Sequence, residues 1–333
     1  MVLAVGLAAT ACSDDASGPE RQWKLGESAG ARGIAYVDGA IWVGVSDQVV
    51  TPQAGETELL RIDPADGSVD LRVGQRLDVH GVVDGDLWVG SSSVDPSTGK
   101  GSRSIDHPFI VPATLVAAGG ALYVIDFGEV TEFDLESGAK VATVAEPGGD
   151  DGETIGTYSD AAVGAGDLLV IETDVDGVRS IAALDVVQGA YRWTYPLPKY
   201  IGPASMAVSG GTLWALLDAG ADSGVAQSVV AFDLETGEVV AQHDLPAGTA
   251  QIGDDPNALQ LGPDGTPWAL VHEDGVVLRI DPETAAAVAS FTFSTRPIAF
   301  TVSEDAVFTV SNGSGVLTRV LISAFTSLTA PAG

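Results

Sequence analysis

The sequence predicts an all-β chain: a seven-bladed β-propeller with four-stranded antiparallel blades. Three observations carry this prediction. A short strand with an aromatic or large apolar residue follows a Gly- or Asp-containing turn seven times along the 333 residues. These markers, Trp42, Trp88, Tyr123, Leu169, Trp214, Trp268 and Phe308, recur every about 44 residues, the length of four short strands and their turns. The order of segments inside each unit is also the same.

Each unit opens with a strand of small residues, such as Met206-Ala207-Val208. A tight turn, for example Asp38-Gly39, Asp84-Gly85 or Gly210-Gly211, leads to the marker strand. A variable loop leads to a third strand that runs into an Asp turn, as in Asp63-Pro64-Ala65-Asp66-Gly67, Asp134 to Gly138, Asp233 to Gly237 and Asp281 to Thr284. In such turns Asp accepts hydrogen bonds from nearby backbone N–H groups, and Gly supplies positive φ. A fourth strand follows, such as Glu238 to Gln242. The second unit departs from this pattern around Ile105-Asp106. First strands are small because they crowd around an axis, while the markers one strand further out fill the space between blades. The aromatic series therefore reads as core. The last unit supplies Pro297 to Val302, Ala306 to Val310 and Val316 to Ile322 and then runs out. Gln22 to Leu25 is expected to complete it, joining first and last blades and covering strand edges. The expected layout is a signal peptide at 1–11, a tether at 12–21, the propeller at 22–325 and a tail at 326–333.

With 15 Lys+Arg against 46 Asp+Glu, the formal charge is −31. Such a surface repels nucleic acid phosphates and anionic headgroups and suits divalent cations or basic proteins; it also serves solubility alone. The hydrophobic content of 45% is ample for a large core. Cys12 is the one cysteine, which excludes an intramolecular disulfide and zinc sites built on paired cysteines.

Val2 to Ala11 is apolar and far shorter than the roughly 20 residues a spanning helix needs, but fits a signal-peptide core. It stops at Cys12, followed by Ser13-Asp14-Asp15. This resembles a bacterial lipoprotein signal, with Ala9-Thr10-Ala11-Cys12 as the processing box. Ala9 stands where leucine is usual, and no Lys or Arg precedes the run. The resemblance implies lipidation of Cys12 and an extracytoplasmic protein on the outer face of the bacterial cell membrane, touching the membrane through its anchor only. A monomer is expected.

The repeats, best seen in Pro203 to Trp214 continued through Val229 to Val240, resemble YVTN-type and streptogramin-lyase-type propellers. Ala183 to Trp193 is also similar to a quinoprotein repeat. The likeness spans nearly all of residues 22–325 and specifies blades rather than chemistry.

In propellers of this kind, the loops between blades and those joining second to third strands share one face. Aligning the units on their markers places Arg32, Asp78, His80, Tyr158, Asp160, Asn257 and Arg296 around that mouth. Cations, carboxylates, an imidazole and a phenol converging in a concave place form the default ligand-binding hypothesis. The long loops of that face are acidic, and Asp150, Asp151, Asp174 and Asp176 are the metal candidates, with Ca²⁺ or Mg²⁺ as the ion. No loop has complete EF-hand spacing, so a solvated surface is the other reading. The four histidines show no HExxH spacing, and GxSxG and phosphate-loop motifs are absent. Streptogramin lyases use a metal with His and Glu; His272-Glu273 is the nearest pair here and does not match that arrangement. No catalytic residue is assigned. The expected function is a non-enzymatic platform for a protein or small-molecule ligand. The alternative is a metal-dependent lyase or lactonase with its site in the funnel. A quinone-binding role would rest on one isolated repeat.

Overall fold

The computed structural model describes residues 19–25, 30–46, 57–74, 79–107, 113–126, 129–145, 147, 155–198, 201–218, 227–245, 258–271, 274–311 and 315–328, with backbone alone for Arg32, Ala113 and 158–160. The chain divides into two compact units, residues 1–101 with 295–324, and residues 102–294 with 325–333. Its strands form seven antiparallel sheets, the blades of a seven-bladed β-propeller.

The first sheet is β1 aside: β1 (Glu20–Lys24) belongs to the last blade, and the first blade runs β2 (Gly30–Val37), β3 (Ala40–Ser46), β4 (Thr57–Ile62), β5 (Val69–Gly74). The second is β6 (Val79–Val83), β7 (Asp86–Val89), β8 (Ser92–Val94), β9 (Gly101–Ser104). The third is β10 (Ala113–Ala118), β11 (Ala121–Asp126), β12 (Glu129–Asp134), β13 (Lys140–Thr143). The fourth is β14 (Thr157–Ala165), β15 (Leu168–Val175), β16 (Val178–Asp185), β17 (Ala190–Pro196). The fifth is β18 (Gly202–Ser209), β19 (Thr212–Asp218), β20 (Ser228–Asp233), β21 (Val239–Asp244). The sixth is β22 (Leu259–Leu261), β23 (Pro267–Val271), β24 (Val276–Ile280), β25 (Ala287–Thr292). The seventh is β26 (Pro297–Val302), β27 (Ala306–Ser311) and β28 (Val316–Leu321), completed by β1, in which Trp23 pairs with Leu317. A fifth strand, β29 (Thr326–Ser327), lies beyond the boundary expected for the propeller and pairs with the outer edge of β25. Phe325 packs edge-on against Trp268 at 5.2 Å, which anchors that added strand and covers an otherwise open edge.

The hairpin joining first and second strands explains the recurrent Asp-Gly pairs. At Asp38-Gly39 both residues have positive φ, 50° and 75°. That is the two-residue turn whose twist matches the flanking strands, and it favours Asp-Gly at its centre. The marker side chains then turn inward. Trp42, Trp88 and Phe308 have no exposed surface, and Trp214 and Trp268 are 2% exposed. The aromatic series is core, as expected.

The Asp turn occurs in six blades, at Asp63, Asp95, Asp134, Asp185, Asp233 and Asp281. Asp233 is typical: its carboxylate accepts the Thr236 N–H at 2.8 Å and the Thr236 hydroxyl at 3.0 Å. Hydrogen bonds of this kind, led by the Thr236 N–H, hold the Asp233 carboxyl below the usual carboxylate range. The second blade corrects the sequence reading. Its Asp turn is Asp95 to Gly99, and Ile105-Asp106 lies beyond its outermost strand. Only two residues separate β7 from β8, so the turn arrives early in the repeat and the marker alignment passes over it.

Outer strands ride on the turn of the next blade. The Trp193 indole N–H donates to Leu234 O at 2.8 Å, and its ring lies against Gly237. Trp23 covers Gly67, Arg21 donates to Ala65 O at 2.9 Å, and Arg61 donates to Ser97 O at 3.0 Å. The turn glycine thus serves twice, by positive φ and by close approach of a neighbouring side chain.

Candidate functional site

Antiparallel order places three chain segments at one end of every blade: the start of the first strand, the link from second to third strand and the end of the fourth. At that mouth-side end five of the seven first strands share an irregularity, β10 and β22 pairing without one. Their registers shift between Ala31 and Ile34 in β2, Val79 and Gly81 in β6, Thr157 and Ala162 in β14, Pro203 and Ser205 in β18, and Pro297 and Ala299 in β26. Such bulges bend a strand and re-aim the side chain of the extra residue.

These insertions coincide with the residues picked from sequence. Arg32, His80, Tyr158 and Asp160 all fall within the shifted segments, and Arg296 immediately precedes β26. Asp78 and Asn257 lie outside the described residues. Within the first unit, β2 meets β6 so closely that a Cβ on Gly33 would stand 3.1 Å from Val79 O. Gly33 (φ 129°) and Gly81 (φ 110°) flank this contact. His80 is half-buried, and desolvation pushes its pKa down to about 4, so the ring is neutral at neutral pH. Arg296 is exposed. Within the second unit, β14 carries Tyr158 and Asp160 at its mouth-side end.

Of the metal candidates, Asp174 and Asp176 belong to the β15–β16 hairpin turn. Asp174 accepts the Gly177 N–H at 2.6 Å, and Asp176 has φ 55°. Asp150 and Asp151 lie outside the described residues, as do His272, Glu273 and Cys12. Among the described residues, no group of three or more His, Cys, Asp or Glu side chains is placed to hold a metal ion.

Two polar clusters in the second unit escaped the sequence reading. His107 Nε2 lies 3.8 Å from Asp126 Oδ2, with its ring edge-on to Phe133 at 5.9 Å. The other sits between the fourth and fifth blades. Glu172, on the marker strand β15, has no exposed side-chain surface and accepts a hydrogen bond from Arg179 Nε. A Cβ on Gly202 would lie 2.5 Å from Arg179 Nη2 and 3.0 Å from Glu172 Oε1, so the pair packs against the bare glycine backbone and a side chain there would displace the guanidinium. Gly202 is opposite Asp218 in register, and Gln227 Nε2 donates to Asp218 Oδ1 at 3.1 Å. Glu172 Oε2 and Gln227 Oε1 are both buried with no hydrogen-bond donor among the described residues. A buried carboxylate is poor value as a stabiliser, since ion pairs of this kind are often matched by apolar packing. The sequence signal was a Glu directly ending the apolar run Leu168-Leu169-Val170-Ile171.

No family model and no curated protein sequence matches this chain. Solved structures do. Hydrazine synthase from Kuenenia stuttgartiensis superposes with a TM-score of 0.64 at 13% identity, covering 90% of this chain and 97% of its own. Streptogramin B lyase gives 0.60 at 15% identity, covering 91% and 97%. The computationally designed Ika8 protein gives 0.53 at 13% identity, covering 90% and 98%. This chain is similar to them in fold, a β-propeller of the type shared with streptogramin B lyase. The likeness carries no chemistry across.

Proposed function

We propose that this chain is an exported, lipid-anchored β-propeller acting as a non-enzymatic binding platform. It takes a protein or small-molecule ligand at the mouth-side ends of its first strands. The observation that supports this reading best is the recurrence of bulges there, with Arg32, His80, Tyr158 and Asp160 in the shifted segments. A regular ladder needs no such interruption, and bulges concentrate beside sites where side chains must be re-aimed. The charge of −31 favours a basic partner over an anionic one, and the lipoprotein-like segment ending at Cys12 supports an extracytoplasmic, membrane-tethered protein.

Native mass spectrometry of the full-length protein, extracted from the membranes of cells that express it, tests this. A bound species is expected that is lost from His80→Ala and Asp160→Asn but kept in Glu235→Ala, a change in the Asp turn at the other end of the fifth blade. A bound species indifferent to both mouth variants, or none at all, overturns the reading. A bound metal ion lost from the mouth variants would favour the lyase or lactonase alternative.

A further inference from the structure

We propose that β21, the outer edge of the fifth blade, takes an added strand from a partner protein: an extended basic segment paired antiparallel to it. This edge is separate from the mouth residues of the first strands, so the inference goes beyond the platform reading. An edge strand presents unpaired N–H and C=O groups, and proteins blunt such edges with shortness, charge or proline. Most outer strands here are blunted in that way. β9 and β13 have four residues each, β5 carries Asp70 and Arg72, β17 carries Arg192 and ends on Pro196, and β1 carries Glu20, Arg21 and Lys24. β21 and β25 are different. Both have six residues, β25 has no charged residue, and β21 has none from Val239 to His243. The chain covers β25 itself, with β29. Among the described residues β21 has no strand on its outer side, and Val240 is 59% exposed.

The covered edge shows how the open one would pair. Both strands carry the same bulge, Ala287 to Ala289 against Arg279 and Ile280 in β25, and Val239 to Ala241 against Ala231 and Phe232 in β21. Overlaying the bulges sets Val288, Ser290 and Thr292 on Val240, Gln242 and Asp244. In the sixth blade Ser290 lies opposite Thr326, and the Leu328 N–H donates to Val288 O at 2.9 Å. In the fifth, the Leu245 N–H donates inward to Gln227 O at 2.7 Å, as the Phe293 N–H does to Gly275 O at 2.8 Å. Antiparallel strands alternate, so Gln242 and Asp244 turn their backbone groups outward, as Ser290 and Thr292 do.

Charge selects the occupant. From Ile201 to Ser294 the chain has thirteen Asp and Glu and a single Lys or Arg, Arg279, whose guanidinium lies over the Trp268 ring. Glu238 and Asp244, both exposed, bracket the neutral stretch of β21. A second copy of this chain suits the edge poorly: two β21 strands paired about Ala241 set Glu238 of one opposite Asp244 of the other, and like charges opposite each other destabilise a ladder. A segment with an uncharged β-branched middle and Lys or Arg at both ends meets the backbone and the two acids together.

Fluorescence anisotropy with the folded full chain tests this, in physiological NaCl to screen general attraction. The probe is the labelled peptide Lys-Arg-Val-Thr-Val-Thr-Arg-Lys. One control peptide is N-methylated at its four central residues, which keeps the charge and removes the donors. Another has Glu at both ends in place of Lys and Arg. The probe should bind and slow hydrogen exchange in residues 239–244, and neither control should bind. Gln242→Pro should weaken binding by about tenfold or more, because it removes an outward N–H and leaves the bonds to β20 in place. Lys at both 238 and 244 should weaken it as much. No saturable binding of the probe, equal binding of the N-methylated peptide, or affinity unmoved in folded Gln242→Pro overturns the proposal. If Gln242→Pro does not fold, the N-methylated peptide on the unaltered protein carries the same refutation. A dimer in sedimentation that Gln242→Pro abolishes makes the occupant a second copy, and the basic partner is then wrong.

Discussion

Replacing Gly237 by Ala tests whether blade-to-blade packing rests on the Asp-turn glycine. Gly237 has φ 71°. A Cβ there would stand 2.5 Å from Trp193 Cδ2 and 2.7 Å from Cε3 and Cγ. The ring cannot move away freely. Trp193 is 8% exposed, its N–H is held by Leu234 O at 2.8 Å, and it stacks on Phe232 at 6.3 Å. Forcing a side chain into the left-handed region costs about 1–2 kcal/mol. Overpacking against a fixed ring adds about 1–3 kcal/mol. A lost indole hydrogen bond adds roughly 1 kcal/mol. The expected destabilisation is about 3–6 kcal/mol. Gly210→Ala is the control: φ is 58°, but nothing lies within 4 Å of the new methyl, so only the backbone cost of about 1–2 kcal/mol remains. Urea titrations followed by near-UV circular dichroism give both values. In a Trp193→Ala background, Gly237→Ala should fall to the Gly210→Ala level. If the two glycine variants differ by less than about 0.5 kcal/mol in the native background, the close-approach argument is wrong.

Three further outcomes are expected. Deleting residues 20–24 removes Trp23, 2% exposed, and uncovers β28; the thermal midpoint should drop, and an unchanged midpoint would show that β1 is dispensable. His80 is depressed from 6.5 to about 4, so the unfolded chain binds the proton first, and stability is retained above 6.5 and lost as pH falls towards 4. Between pH 7 and pH 5 this should remove about 2 kcal/mol, and His80→Gln should flatten that part of the stability profile; parallel profiles for the two proteins would count against it. Cys12→Ala, in full-length protein expressed with its complete signal, should release the protein into the medium, and continued membrane association would refute the anchor.

The blade pattern was legible because it depends on local chemistry. Asp38-Gly39 and Asp233 to Gly237 make their turns with residues adjacent in sequence, and Trp42 or Trp214 marks the buried strand by its composition. The second blade failed for the same reason. Its loop between β7 and β8 shrank to two residues, and an alignment keyed to spacing lost the turn at Asp95. Mouth residues such as Arg32 and His80 were found by position in the repeat. Nothing in the sequence signalled that their strands would bulge there, because a bulge is a mismatch between two strands and not a property of one.

By itself the sequence determined the number of blades, the turns outside the second blade, the buried aromatic series and the completion of the seventh blade by an N-terminal strand. The turns and the aromatic series follow from short-range preferences that recur along the chain, and the closing strand from the outer strand that the last unit lacks. The tertiary structure decided what only pairs of segments can decide: the registers, the added strand at Thr326–Ser327 and the burial of Glu172 beside Gly202. Glu172 and Gly202 are thirty residues apart and carry no shared pattern. Their meeting depends on how one blade packs on the next, and a carboxylate inside that seam is visible only once both blades are in place.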